Sequence, residues 1–215
     1  MILEPILGEG GLYQADEEFV RYMRKVCDTH NICYVSDEVQ TGVGRTGKWW
    51  GYQHFGDVKP DIITFGKGIA SGFTLAGVVS NSKNFVNIQC NGLGGTYNGS
   101  VLATAAANST FDIIENNQLV AQSNEKGEYL KTAIDNLSHP MILDIRQHGL
   151  MIAIELELES EAFKKLLSSA PEYNLLLLST GLQATVRLLP PLTISYEEID
   201  YFVENFRGLL NSCQE

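Results

Sequence analysis

The stretch Asp61-Ile62-Ile63-Thr64-Phe65-Gly66-Lys67-Gly68 sets four β-branched or aromatic residues between an acid and a glycine-flanked lysine. A short run of this kind suits a strand covered on both faces. Upstream, Ile32-Cys33-Tyr34-Val35 reads as a buried strand ending at Ser36-Asp37-Glu38, and downstream Leu75 to Ser80 reads as a third. Residues 16–30 read as a helix. Phe19, Met23, Val26, Cys27 and His30 recur at helical spacing, and acids from Asp16 to Glu18 favour the positive end of the helix dipole. Strands that end in polar and charged groups point to an open α/β sheet, in which ligands sit beyond the carboxyl ends of the strands. Asp37 and Lys67 both stand there.

From Val101 the pattern changes. Small residues from Ala103 open a helix to about Asn116, and a second helix spans about Leu119 to Asn136. Ile142–Ile145 and Leu150–Leu156 read as strands, the latter alternating at Ile152, Ile154 and Leu156. A short helix near 160–168, strands at Leu175–Ser179 and Thr185–Leu189, and a last helix from Tyr196 with Phe202, Phe206, Leu209 and Leu210 on its apolar face complete a smaller α+β domain. The leucine run at 175–178 suits a buried strand. The expected division is 1–100 and 101–215.

A net charge of -11 repels phosphate backbones and argues against nucleic acid as a partner. No stretch approaches the ~20 apolar residues that span a bilayer. Met1-Ile2-Leu3 runs at once into Glu4-Pro5, without the basic segment of a signal peptide. Cys27, Cys33, Cys90 and Cys213 show neither a C-x-x-C pair nor zinc spacing, so thiols in a reducing compartment are expected.

Two glycine motifs mislead. Gly42-Val43-Gly44-Arg45-Thr46-Gly47 matches G-x-G-x-x-G, but a dinucleotide site needs a helix to open at the last glycine. Here Lys48-Trp49-Trp50-Gly51-Tyr52 follows, with no helical period before Pro60. The same stretch nearly fits a P-loop, but Trp49 stands where a Ser or Thr must reach magnesium. A structural turn with an exposed Lys48 is the better reading.

Lysines are mostly solvated, and one beside glycines is often a turn residue. Lys67 differs because it directly follows an apolar strand, and because Gly66, Gly68 and Gly72 permit close approach by a ligand. An aromatic-rich, buried setting would also desolvate the ammonium and favour the nucleophilic amine. Asp37 alone fits a helix cap, an ion-pair partner or a catalytic group. Opposite a pyridine ring it would keep the ring nitrogen protonated.

Four linked motifs carry a family resemblance. Glu4-Pro5-Ile6-Leu7-Gly8-Glu9-Gly10-Gly11 resembles the E-P-x-x-G-E-G-G segment of class III aminotransferases. Ser36-Asp37-Glu38-Val39-Gln40-Thr41-Gly42, followed by Gly44-Arg45-Thr46-Gly47, resembles their D-E-V-Q-T-G-x-G-R-T-G signature. Pro60 to Gly72 resembles their cofactor-lysine segment, and Gly92 to Gly99 their phosphate loop. Met151–Leu156 and Val186–Leu192 look most like 4-aminobutyrate aminotransferases, with ornithine and acetylornithine aminotransferases close behind.

The resemblance implies part of a pyridoxal-phosphate fold type I. Residues 1–100 would be the C-terminal part of the mostly parallel large-domain sheet, and 101–215 a linking helix and the C-terminal small domain. Lys67 would form the Schiff base with pyridoxal 5'-phosphate and shuttle a proton. Asp37 would pair with the pyridine nitrogen, Val39 pack on the ring, Gln40 contact its phenolic oxygen and Thr96 hold the phosphate. Thr96 would serve the neighbouring subunit's site, which implies a homodimer with shared sites. Arg187 would bind a substrate carboxylate through its planar fork. Glu9 would pair with Arg187 in one half-reaction and release it in the other. The implied reaction moves an amino group from an ω-amino acid such as 4-aminobutyrate to a 2-oxo acid such as 2-oxoglutarate, in the cytoplasm or the mitochondrial matrix. A catalytically silent partner subunit, and an aminomutase or racemase on the same scaffold, are the alternatives.

The match covers the second half of the family's usual chain. A two-sided parallel sheet without its neighbours would expose an apolar edge and face, so instability or strong association of this chain alone is expected. Thr74 and Ser100 stand where the family usually has proline.

Overall fold

The computed structural model describes residues 1–86, 88–89, 92–181 and 184–213. Cys90 lies outside them. The chain forms two compact units. One comprises Met1–Ile6, Gln14–Gly44 and Lys48–Leu119, and the other Leu7–Tyr13, Arg45–Gly47 and Val120–Glu215.

The first unit is built on a sheet of order β1-β2-β3-β4, with β1 Ile2–Leu3, β2 Val35–Asp37, β3 Ile62–Phe65 and β4 Gly77–Ser80. The first three strands are parallel, and β4 runs antiparallel to β3. Helix α1 (Glu17–His30) starts where Asp16 accepts a 2.9 Å hydrogen bond from the Phe19 amide, and stops at Asn31 in the left-handed region. Its buried stripe is Val20, Met23 and Cys27, packed with Tyr34, Phe55 and Val58. Phe19 and His30, read from the sequence as part of that stripe, are exposed.

Two strands differ from expectation. Ile32 and Cys33 are exposed and extend no strand, because the Tyr34 amide donates to the Asp61 carboxylate at 2.9 Å instead of to a neighbouring strand. The strand therefore begins at Val35 and contains Asp37. β4 is an edge strand with Val78 and Val79 exposed, not a buried one. Helix α2 (Val101–Asn116), grouped by sequence with residues 101–215, lies in the first unit. It buries Ala103, Ala107, Thr110 and Ile114, and Thr110 Oγ1 bonds Ser71 Oγ at 3.0 Å.

The second unit holds α3 (Leu119–Asp135, from its second residue), β5 Ile142–His148, β6 Met151–Leu156, α4 (Ser160–Ser169), β7 Leu178–Ser179, β8 Thr185–Leu188 and α5 (Tyr196–Ser212). The sheet order is β5-β6-β8-β7, antiparallel throughout. Ile152, Ile154 and Val186 on the sheet pack with Leu130 and Ile134 of α3, Leu166 of α4 and Phe206 and Leu209 of α5. Ser195 and Glu198 form a reciprocal capping box at the start of α5. The leucine run is not a buried strand. Leu175 and Leu177 are buried, whereas Leu176 is 90% exposed, and of the run Leu178 alone belongs to β7, where it is exposed.

No helix among the described residues is long and apolar enough to cross a membrane.

Candidate active site

In the first unit, β2 and β3 run parallel with Asp37 opposite Thr64. Their carboxyl ends thus bring Asp37 and the Gly66-Lys67 step to one edge. Asp37 is half-buried, and its Oδ1 accepts from the Val39 amide at 3.1 Å and from Thr64 Oγ1 at 3.2 Å. Among the described residues, its Oδ2 accepts no hydrogen bond and remains a free acceptor. Two local donors therefore fix the carboxylate while leaving one oxygen for a ligand.

Lys67 opens a 3-10 turn, Lys67–Ala70, with φ 45, a left-handed conformation that a lysine adopts only under constraint. Its side chain is exposed, so the buried setting expected from the sequence is not what surrounds it in this chain. The space beside it is open. A Cβ added at Gly68 or Gly72 would meet nothing within 4 Å, and one at Gly66 would lie 3.8 Å from Val39 Cγ1. Val39 therefore sits next to the backbone that carries Lys67. Gln40 is half-buried beside it in sequence. Thr96 lies in an exposed turn.

The signature around Asp37 also contains a residue that the sequence reading passed over. Glu38 is buried, and its two oxygens accept from Ser36 Oγ at 2.9 Å, Thr41 Oγ1 at 2.5 Å, the Gly51 amide at 2.6 Å and the Tyr52 amide at 2.8 Å. Alternation along the strand explains the division of labour, since Ser36 and Glu38 point inward and Asp37 points to the other face. The glycine motif opens no α-helix. It continues as turns into a 3-10 turn at Gly51–Phe55, and Lys48 is exposed.

In the second unit, Arg187 on β8 forms an ion pair with Glu9 and donates to the Gly8 carbonyl at 3.1 Å. The arginine side chain is 11% exposed and the glutamate 63%. A mostly buried guanidinium with a solvent-facing partner is a device that can exchange one carboxylate for another. Arg45 is held differently, by the carbonyls of Leu150 at 3.1 Å and Pro190 at 2.5 Å. Burial pushes its guanidinium down to about 10, which still leaves it charged at neutral pH.

The family model for class III aminotransferases matches residues 1–210. The chain belongs to this family. It is 41% identical to the 5-aminovalerate aminotransferase DavT of Pseudomonas putida, over 99% of this chain and 51% of that protein. It is 38% identical to the 4-aminobutyrate aminotransferase GabT of Escherichia coli, over 93% of this chain and 49% of that protein. A transaminase structure from the marine bacterium Virgibacillus superposes with a TM-score of 0.91 at 30% identity, covering 99% of this chain and 52% of that one. The chain thus spans about half the length of the curated relatives it matches.

Class III aminotransferases depend on pyridoxal phosphate. The donor set here fits the base side of that group. A primary amine stands in open space, and a fixed carboxylate with one free oxygen stands at the neighbouring strand end, the pairing that an aldehyde and a ring N–H require.

Proposed function

We propose that the protein containing this chain transfers an amino group from an ω-amino acid to a 2-oxo acid such as 2-oxoglutarate. The juxtaposition of Lys67 and Asp37 on adjacent parallel strand ends carries this reading. Relatives named for 5-aminovalerate, 4-aminobutyrate and ornithine support an amino donor with its amine far from its carboxylate.

Pyridoxal phosphate, when bound, supplies an electron sink for the charge left when a proton departs from the substrate carbon. Lys67 would hold the cofactor through its Nζ and, once the substrate amine has displaced it, would be the free amine that takes that proton and returns it. Asp37 Oδ2 would accept the ring N–H and keep that proton in place, while Val39 packs on the ring and Gln40 meets the phenolic oxygen. Thr96, exposed in its turn, would serve the phosphate of a neighbouring subunit in a homodimer. Arg187 would take the substrate carboxylate, and Glu9 would occupy Arg187 in the half-reaction whose substrate places no carboxylate there.

Adding pyridoxal phosphate to the chain should give a visible absorption band, and borohydride should fix the cofactor's mass on the peptide holding Lys67. Both signals should vanish in Lys67→Ala. Label on another lysine, or a band that survives the substitution, would refute the assignment. Turnover with 4-aminobutyrate, 5-aminovalerate and ornithine as donors would then rank the substrates.

A further inference from the structure

The loop Leu7–Tyr13 carries Glu9 and belongs to the second unit. It is closed on itself by bonds from the Leu7 amide to the Tyr13 carbonyl and from the Leu12 amide to the Leu7 carbonyl, each 3.0 Å. Several groups among the described residues strap it to the sheet. Gly181 donates its amide to the Glu9 carbonyl at 2.8 Å, Arg187 reaches Gly8 and Glu9, and Arg146 on β5 holds the far side.

The Arg146 contact is the most elaborate. Its Nε donates to the Gly11 carbonyl at 2.7 Å, and its guanidinium lies 4.2 Å from the centroid of the Tyr13 ring. Nη1 bonds Asp144 at 2.5 Å and Glu155 at 2.8 Å, and the Tyr13 hydroxyl approaches Glu155 at 3.4 Å. The side chain is 12% exposed. Gly11 has φ +90, and a Cβ there would come within 3.0 Å of the Tyr13 ring, so the turn that brings ring and carbonyl to one arginine requires glycine.

If Arg187 releases Glu9 to receive a substrate carboxylate, it also loosens its grip on the loop. Arg146, the Gly181 amide and the contact of the Tyr13 hydroxyl with Glu155 do not depend on that release. We propose that Arg146, stacked on Tyr13 and paired with Glu155, is a positioning residue that keeps the loop in register so that Glu9 returns to Arg187, and thereby sets the preference between the two substrate classes. This inference rests on the switch reading of Glu9 and Arg187 given above.

The test uses the protein containing this chain and reads amide hydrogen exchange at Gly181 and Leu12. Tyr13→Leu removes the ring together with its hydroxyl's contact to Glu155, and Arg146→Ala removes the strap. Both should speed exchange at these amides by about tenfold or more, the loss expected for a charge-assisted hydrogen bond, while amides in the β6–β8 ladder keep their rates. Arg146→Lys should restore protection in part. In kinetics, Glu9→Gln should raise KM for the ω-amino acid relative to KM for the 2-oxo acid, and Tyr13→Leu and Arg146→Ala should move the same ratio in the same direction. Unchanged exchange at Gly181 and Leu12 overturns the proposal. A ratio moved by Glu9→Gln but by neither other variant overturns it while the switch stands. A ratio unmoved by Glu9→Gln overturns the switch, and with it the link from Arg146 to substrate choice.

Discussion

Glu38 and Gly51, thirteen residues apart, are joined by a 2.6 Å hydrogen bond from the glycine amide to a carboxylate that is 1% exposed. Ser36, Thr41 and Tyr52 complete its shell. A buried carboxylate survives without a cation only when donors surround it. The residue next to the candidate pyridine partner is therefore the one that ties β2 to the loop behind it.

Glu38→Ala should lower folding stability by roughly 3 kcal/mol or more, because the buried Gly51 amide and the half-buried Tyr52 amide lose their acceptor. Glu38→Gln should cost less but still be damaging, since its amide nitrogen would face donors. Denaturant midpoints measure both. A midpoint for Glu38→Ala equal to that of the parent would contradict this account.

The Asp61 carboxyl offers a pH test. Burial works to raise it, but the Tyr34 amide at 2.9 Å and the Arg24 guanidinium at 2.8 Å outweigh burial and hold it below the usual carboxylate range. A carboxyl held low in the folded chain protonates later than it does unfolded, so the unfolded state binds more protons as pH falls. The stabilisation is thus fully present above the unfolded value and is lost as pH falls through the depressed one. Asp61→Asn should be less stable than the parent at neutral pH, and the gap should narrow below roughly pH 4. A gap independent of pH would assign the effect to packing instead.

Arg187→Lys retains the charge but loses the planar fork. KM for substrate carboxylates should rise by roughly 10- to 100-fold, the scale of a charge-assisted hydrogen-bond pair, with a smaller change in kcat. Steady-state kinetics on both substrates would show it. An unchanged KM would remove Arg187 from the carboxylate site.

What the sequence made legible follows from what periodicity encodes. Asp37 and Lys67 could be read because each ends an apolar run, and the parallel pairing of β2 with β3 then brings the two ends together. Glu38 was passed over because an acidic pair does not announce which member points inward. Strand alternation decides it, and the strand starts three residues later than the apolar run suggests. The four leucines at 175–178 misled because identical residues erase the period of two. Only the structure separates buried Leu175 and Leu177 from exposed Leu176. Arg146 was silent for a third reason. Its partners Gly11 and Tyr13 lie more than a hundred residues away, and no local pattern pairs them.

Gly127 sits inside α3, where alanine would raise helix propensity by about 1 kcal/mol. Packing reverses the sign. A Cβ at Gly127 would lie 1.9 Å from the Gly149 carbonyl oxygen, and Gly149 itself has φ +54 with backbone atoms of Arg45–Gly47 within 2.7 Å of any added Cβ. Backbone faces backbone here, so no flexible side chain can yield. Ser123, one turn earlier on α3, bonds both the Arg45 carbonyl and the Leu150 amide, which keeps the helix from backing away. Gly127→Ala should therefore destabilise by roughly 2 kcal/mol or more, a fall of about 2–4 °C in Tm for each kcal/mol at this chain length. Ala121→Gly, at an exposed position of the same helix, should cost no more than the propensity difference of about 1 kcal/mol. A Gly127→Ala chain that melts at or above the parent would show that α3 can move off Gly149, and that Ser123 does not hold it there.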